Sequence, residues 1–150
     1  MTLRVNRINE MVSNTLNQKH PVKFLFGYFL YKTGFCKYFN IKFQNFKLKF
    51  FPTKLSWLLW ADNELYDSEL EFYHRYLRKN DVVIDIGANI GLISLCSSTI
   101  VGEGGMVISF EPNPEIFNFL EKNVKINHFK NIDPRCKALG KTESYEYLVV

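Results

Sequence analysis

Apolar residues recur at Val5, Ile8, Met11/Val12 and Leu16 within an otherwise polar stretch, the period of a helix over residues 1–17. Pro21 opens a second predicted helix that runs to Tyr31 and stops at Gly34. From Lys37 to Phe51 the pattern turns to alternation: Tyr38, Asn40 and Phe43, then Phe46, Leu48 and Phe50 with lysines between. That is the period of two strands, with Gln44-Asn45 as the turn of a hairpin. Pro52-Thr53 breaks the second strand, and the apolar piece Leu55–Trp60 is left unassigned by pattern alone. Residues 64–79 predict a helix whose buried stripe is Leu65, Glu69, Phe72, Tyr73, Tyr76 and Leu77, ended by Asn80-Asp81.

The next seventy residues have a different rhythm. Val82–Ile86 is a β-branched run without alternation, the pattern of a central parallel strand buried on both faces. A Gly87–Gly91 turn leads into a helix over Leu92–Val101, stopped by Gly102 to Gly105. Met106–Phe110 predicts a second strand, Pro114–Ile126 an amphipathic helix, and Ile132–Leu139 a third strand, with another strand beginning at Tyr145. The order β-α-β-α-β predicts an α/β fold with a partial parallel sheet of three strands, preceded by a small helix and hairpin region. In such sheets ligands sit at the carboxyl ends of the strands, here just after Ile86, Phe110 and Leu139.

Charge divides the chain near residue 61. Residues 1–61 hold ten Lys/Arg and one acid, Glu10, whereas 62–150 hold nine bases and fourteen acids. Fourteen of the 24 aromatic residues lie between Phe24 and Trp60. The chain therefore divides into a basic, aromatic-rich region over 1–61 and an α/β region over 62–150. The 47% hydrophobic content excludes a disordered tail and a collagen-like repeat. Cys36, Cys96 and Cys136 are too few and too widely spaced for a metal site or a disulfide framework, so they are expected as thiols in a reducing, cytoplasmic setting. His20, His74 and His128 have no Cys, Asp or Glu at ligand spacing, and no metal is expected. No secretory signal is expected, because residues 1–17 lack an apolar core. The run Val22–Tyr31 contains Lys23 and is too short to span a bilayer.

The candidate chemistry lies in two loops. In Asp85-Ile-Gly-Ala-Asn-Ile-Gly91, Gly87 suits a tight turn with close ligand approach, Gly91 suits close packing of helix on sheet, and free N–H groups at the helix start would face the ligand. A dinucleotide fingerprint wants glycine where Asn89 and Leu92 stand, which argues against a pyrophosphate site. Asp85, an acid ending an apolar strand, needs a partner: a ligand amino group, or backbone N–H groups of its own loop. Glu111, in Phe110-Glu-Pro-Asn-Pro114, suits the two hydroxyls of a ribose, or else a helix N-terminus. Together the two acids and the Gly-rich turn describe a ligand with an amino acid at one end and a nucleoside at the other. S-adenosylmethionine is such a molecule.

These motifs, with Val101-Gly102 and Ala138-Leu139-Gly140, resemble the FkbM-type branch of the class I, Rossmann-like methyltransferases over about residues 40–143. The resemblance implies S-adenosylmethionine as cofactor and O-methyl transfer to a hydroxyl of a small-molecule or glycan acceptor. It implies that Asp85, Gly87, Ala88, Asn89 and Gly91 surround the methionine end, that Glu111 takes the ribose, and that Pro112, Asn113 and Ala138 border the adenine. It also implies a later strand ending in an Asp-x-Glu-Gly-like motif, which these 150 residues do not contain. The expectation is a chain holding the cofactor half and no identifiable catalytic base, with a non-catalytic remnant or an interaction module as the alternatives. The lysine- and aromatic-rich stretch 22–60 leaves three roles open: a subdomain packed by its rings, a membrane-surface element, or a single-strand nucleic-acid face. No nucleic-acid partner is expected, because Phe/Lys alternation carries no base-reading specificity.

Overall fold

A computed structural model describes residues 19–142. The predicted helix over 1–17 and the strand beginning at Tyr145 lie outside these residues. The elements are α1 (Pro21–Thr33), a short 3-10 turn (Phe35–Tyr38), β1 (Asn40–Lys42), β2 (Lys47–Lys49), α2 (Lys54–Ala61), α3 (Asp67–Tyr76), β3 (Val82–Ile86), α4 (Leu92–Val101), β4 (Met106–Phe110), α5 (Pro114–Ile126) and β5 (Ile132–Arg135). They form two compact units, one of residues 19–41 with Phe50–Leu65 and one of Lys42–Lys49 with residues 66–142.

In the first unit α1 starts on Pro21, whose missing N–H costs nothing at a helix start, and stops at Gly34 with φ +76°. The unassigned piece Leu55–Trp60 is helical: Thr53 caps α2, its hydroxyl accepting from the Ser56 amide at 3.1 Å. Gly27 allows α1 and α2 to approach closely, since a Cβ there would lie 2.8 Å from the Trp60 ring. Trp57 donates its indole N–H to the Phe24 carbonyl at 3.0 Å, so its polar atom is satisfied where the ring packs. Phe24, Leu30, Cys36, Phe50 and Leu59 form the core.

The hairpin forms where alternation predicts it, closed by Phe43 N–H donating to the Phe46 carbonyl at 2.9 Å. On the second strand Leu48 and Phe50 are buried as the alternation predicts, whereas the inward face of the first is one residue out of step. Ile41 is buried while Tyr38 and Asn40 are exposed, because residues 35–38 turn as a 3-10 helix and reset the period before the strand begins.

The second unit is built on a three-stranded parallel sheet in the order β3-β4-β5. Register pairs Asp85 with Ser109 and Ser109 with Pro134, so these residues share a face, and α4 packs on it. The strand and helix bounds of β3, α4, β4 and α5 match the sequence expectation. Two features do not. On the opposite face Val82, Ile84 and Ile86 are 59–67% exposed, so β3 is covered on one face rather than both, and among the described residues it pairs with β4 alone, at the edge of the sheet. β5 ends at Arg135 instead of Leu139: Pro134 has no N–H for the ladder, and Lys137 N–H turns back to the Arg135 carbonyl.

α3 is shorter than predicted, and its buried stripe is shifted. Leu70 is buried with Tyr66, Tyr73 and Leu77 half-buried, whereas Phe72 and Tyr76 face solvent. The sequence offers aromatics on two faces of this helix, and periodicity alone does not choose between them.

Candidate cofactor crevice

The carboxyl ends of β3 and β4 lie side by side, with Ile86 opposite Phe110. The chain turns sharply after each. After β3, Gly87 takes φ +80°, Asn89 φ +49° and Gly91 φ +94°, three left-handed residues in five. Asparagine tolerates this region because its short side chain bonds locally, and Asn89 Oδ1 accepts from the Ile90 amide at 2.8 Å. The two glycines serve different ends. A Cβ on Gly91 would lie 2.6 Å from Leu120 and 2.8 Å from Leu95, so Gly91 is needed for packing. A Cβ on Gly87 would meet nothing within 4 Å, so Gly87 borders open space at the head of the sheet.

The amides of this loop are turned inward. Gly87 and Ala88 N–H both donate to the Phe110 carbonyl at 2.9 Å, Asn89 N–H donates to Glu111, and Gly91 N–H donates to the Ala88 carbonyl at 2.8 Å. With Ile90 bonded to Asn89, five consecutive amides are already satisfied. The amides of residues 87–91 are therefore spent within the fold, which leaves the expected free N–H groups to the first turn of α4 itself. A loop without spare donors makes no anion nest, which agrees with the absence of a dinucleotide fingerprint.

Glu111 links the two loops. It is 8% exposed, with Oε2 accepting from Asn89 N–H and Oε1 from Asn113 N–H, each at 2.9 Å. Each oxygen keeps a second lone pair, the capacity a carboxylate needs to accept further hydroxyl groups. The Asn113 side chain caps α5, accepting from Glu115 and Ile116 N–H at 2.9 and 3.3 Å. An asparagine directly before proline at a helix start is a capping signal readable in the sequence. Pro112 stands between these two residues, half-buried. Ala138 lies in exposed coil past the end of β5, at the same end of the sheet as the two loops.

Asp85 is held from below. Ser94, in the first turn of α4, donates its hydroxyl to Asp85 Oδ2 at 2.5 Å, and the fully buried Ser109 donates to the Ser94 hydroxyl at 2.8 Å. The partner found is neither the ligand amino group nor the loop's own amides but a serine hydroxyl on the following helix. Burial pushes the Asp85 pKa up, outweighing the hydrogen bonds from Ser94 that lower it. The Tyr73 hydroxyl is pushed up as well, first by burial and then by the negative charges of Asp85 and Glu69. Beside it lies a cavity of about 390 Å³ lined by Ser68, Glu69, Phe72, Tyr73 and Ile93.

One residue supporting this loop escapes sequence reasoning. Asn123 on α5 is fully buried, its amide donating to the Ile90 carbonyl at 2.7 Å while its oxygen accepts from Lys49 N–H at 2.8 Å. It ties β2 to the glycine loop. Its signal is a polar residue on the stripe Ile116, Phe119, Leu120, where an apolar one is expected. Among the described residues, no group of three His, Cys, Asp or Glu side chains stands together as a metal site.

Residues 62–138 match the family model of the TRM5/TYW2 methyltransferase domain. A curated protein-L-isoaspartate O-methyltransferase of Caenorhabditis elegans is 23% identical over 69 residues, which span 46% of this chain and 31% of that protein. Among solved structures, an S-adenosylmethionine-dependent methyltransferase from Agrobacterium tumefaciens aligns with a TM-score of 0.49 and 12% identity, over 67% of this chain and 32% of that one. TYW2 of P. horikoshii, in complex with MeSAdo, aligns with a TM-score of 0.38 and 27% identity, over 44% and 25% of the two chains.

Proposed function

The chain belongs to the TRM5/TYW2 methyltransferase domain family, and from that premise we propose that the crevice between Asp85–Gly91 and Glu111–Asn113 holds S-adenosylmethionine for methyl transfer. The carrying observation is the buried Glu111 carboxylate, which joins the ends of two adjacent strands beside the open space at Gly87. In this reading Glu111 accepts the ribose hydroxyls with its remaining lone pairs. Gly87 and Ala88 admit the cofactor, Asn89 and Gly91 hold the turn, and Asp85 supplies negative charge toward the methionine ammonium. Pro112, Asn113 and Ala138 border the adenine. The donor set suits a ligand that is cationic at one end and uncharged at the other, since Asp85, Glu69 and Glu111 offer negative charge and the loop amides offer no anion site.

Bound S-adenosylmethionine supplies an electrophilic methyl group on its sulfonium. The residues of this chain bind it, orient it and keep water from the ribose face. The proposal places this site in residues 62–150 and leaves 1–61 outside it. The acceptor is a hydroxyl of a small molecule or glycan, as in FkbM-type enzymes. That reading rests on the pairing of Gly87-Ala-Asn-Ile-Gly91 with Phe110-Glu-Pro-Asn-Pro114. The three unpaired cysteines suit a reducing, cytoplasmic setting.

The test has two arms. S-adenosylmethionine should raise the melting temperature while NAD and ATP leave it unchanged; stabilisation by NAD alone would overturn the cofactor assignment. Tritiated methyl groups should then pass to hydroxylated small molecules or glycans, and transfer to RNA or protein instead would overturn the acceptor.

A further inference from the structure

The outward face of α1 is apolar. Val22, Leu25, Phe26 and Phe29 are 46–81% exposed, while Phe24, Gly27 and Leu30 face the core of the first unit. At about 100° per residue the four exposed side chains fall within roughly 100° of arc, with Lys23 on one flank and Lys32 on the other. Exposed rings continue the surface at Phe35 and Tyr38. An open groove of about 630 Å³ adjoins it, floored by Val22, Phe26 and Trp60 and rimmed by His20 and Lys23. No Asp or Glu occurs between Met11 and Ala61.

We propose that this face of α1 binds peripherally to an anionic lipid surface. The four apolar side chains would enter the headgroup boundary, and Lys23, Lys32 and Lys37 would meet lipid phosphates. Thirteen residues make a helix about 20 Å long, against the roughly 30 Å of a hydrocarbon core, so α1 lies on the surface and does not cross it. α1 is apolar on its buried face too, so what suits a lipid surface is the exposed stripe flanked by lysines, with the opposite side of the helix held by the core of its own unit. Charge disfavours a second copy as occupant, because pairing two stripes would bring Lys23 and Lys32 against their own counterparts. It is also poorly made for nucleic acid. Val22 and Leu25 offer no face for stacking, while Trp60, Tyr28 and Tyr31 already lie under Lys23 and Lys32 at 5.2–5.5 Å.

The experiment is co-sedimentation of the 150-residue chain with vesicles of phosphatidylcholine containing phosphatidylglycerol, against phosphatidylcholine alone. Binding should be confined to the anionic vesicles and should fall as salt rises from 0.1 to 0.5 M. K23E/K32E should weaken it by roughly fivefold or more per lysine. F26S/F29S, which alters two exposed residues, should abolish it without changing the circular dichroism spectrum. Equal binding to both vesicle types, or none to either, would overturn the proposal. So would a stripe that instead drives dimerisation or single-stranded RNA retention, each lost in F26S/F29S.

Discussion

Replacing Asn123 by leucine keeps the branched shape, leaves no cavity and removes two hydrogen bonds, so the penalty reports lost polar satisfaction with some added crowding from the larger methyl groups. The Ile90 carbonyl is left buried without its 2.7 Å donor, and the Lys49 N–H loses its 2.8 Å acceptor. An orphaned buried group costs about 1–3 kcal/mol, so Asn123→Leu should lower the unfolding free energy by about 2–5 kcal/mol. Asn127, one turn further along α5, is the internal control. It makes the same kind of contact to Lys47, with N–H to Oδ1 at 2.9 Å and Nδ2 to the carbonyl at 2.7 Å, but these two bonds are exposed and water can replace them; a third, part-buried bond runs from Nδ2 to the Asn123 carbonyl at 2.7 Å. Asn127→Leu should therefore cost about 1 kcal/mol or less. Urea denaturation measures both. Because Ile90 lies in the glycine loop, Asn123→Leu should also weaken S-adenosylmethionine binding, and Asn127→Leu should not. The reasoning fails if the two variants lose equal stability, or if Asn123→Leu stays within 1 kcal/mol of the parent.

Asp85 has a raised pKa in the folded state, so the fold holds a proton that the unfolded chain releases near pH 4, and stability falls as pH rises through that window. Asp85→Asn should consequently melt higher than the parent at pH 7, with the gap closing as the pH falls toward 4, while its cofactor affinity drops; a pH-independent gap in thermal melts contradicts this. Gly91→Ala should cost about 2–5 kcal/mol from its positive φ and its collision with Leu120 and Leu95. Gly87→Ala, open on all sides, should cost only about 1–2 kcal/mol yet lose cofactor binding, and the reverse ranking in denaturation would refute the assignment of the two glycines. Cys136 is exposed, Cys96 is buried with its thiol pushed up to about 11, and Cys36 is buried and also raised. Iodoacetamide should label Cys136 first, and peptide mapping that finds Cys96 labelled in the native protein would count against the packing of α4.

The alternation of strands and helices from Val82 to Ile126 was legible because its boundaries are marked by residues with strong local preferences. Gly87, Gly91 and Gly102 take positive φ, and Pro114 starts a helix, so the chain's own chemistry sets the ends of these elements. What was not legible depends on tertiary neighbours. Phe72 and Tyr76 look as buriable as Leu70 until the packed face of α3 is known, and Val82–Ile86 looks like a central strand until its neighbours are counted. The candidate site shows the same division. Sequence picks out Asp85, Glu111 and the glycine loop, but not that the loop's amides are consumed by Phe110, Glu111 and its own residues. Pairings across loops leave no local mark. The Ser94–Asp85 contact and the anchoring of Ile90 by Asn123 are of this kind, though a buried asparagine on an apolar helix face is a signal worth heeding.

The central claim, that Glu111 and the glycine loop form an S-adenosylmethionine site, is tested most directly by calorimetric titration of the parent chain and Glu111→Gln with S-adenosylmethionine. Glutamine keeps the size but gives up the charge and one of the two accepting oxygens, so the Asn89 or Asn113 N–H loses its acceptor while hydrogen bonds to the ribose hydroxyls weaken; an unchanged melting temperature of the unliganded variant separates the two effects. Hydrogen bonds to a charged group are worth about 1.5–3 kcal/mol, so the account predicts one-to-one binding by the parent and an affinity roughly 10- to 150-fold lower in the variant. Equal affinity in the two proteins, or no binding by a folded parent, would contradict it.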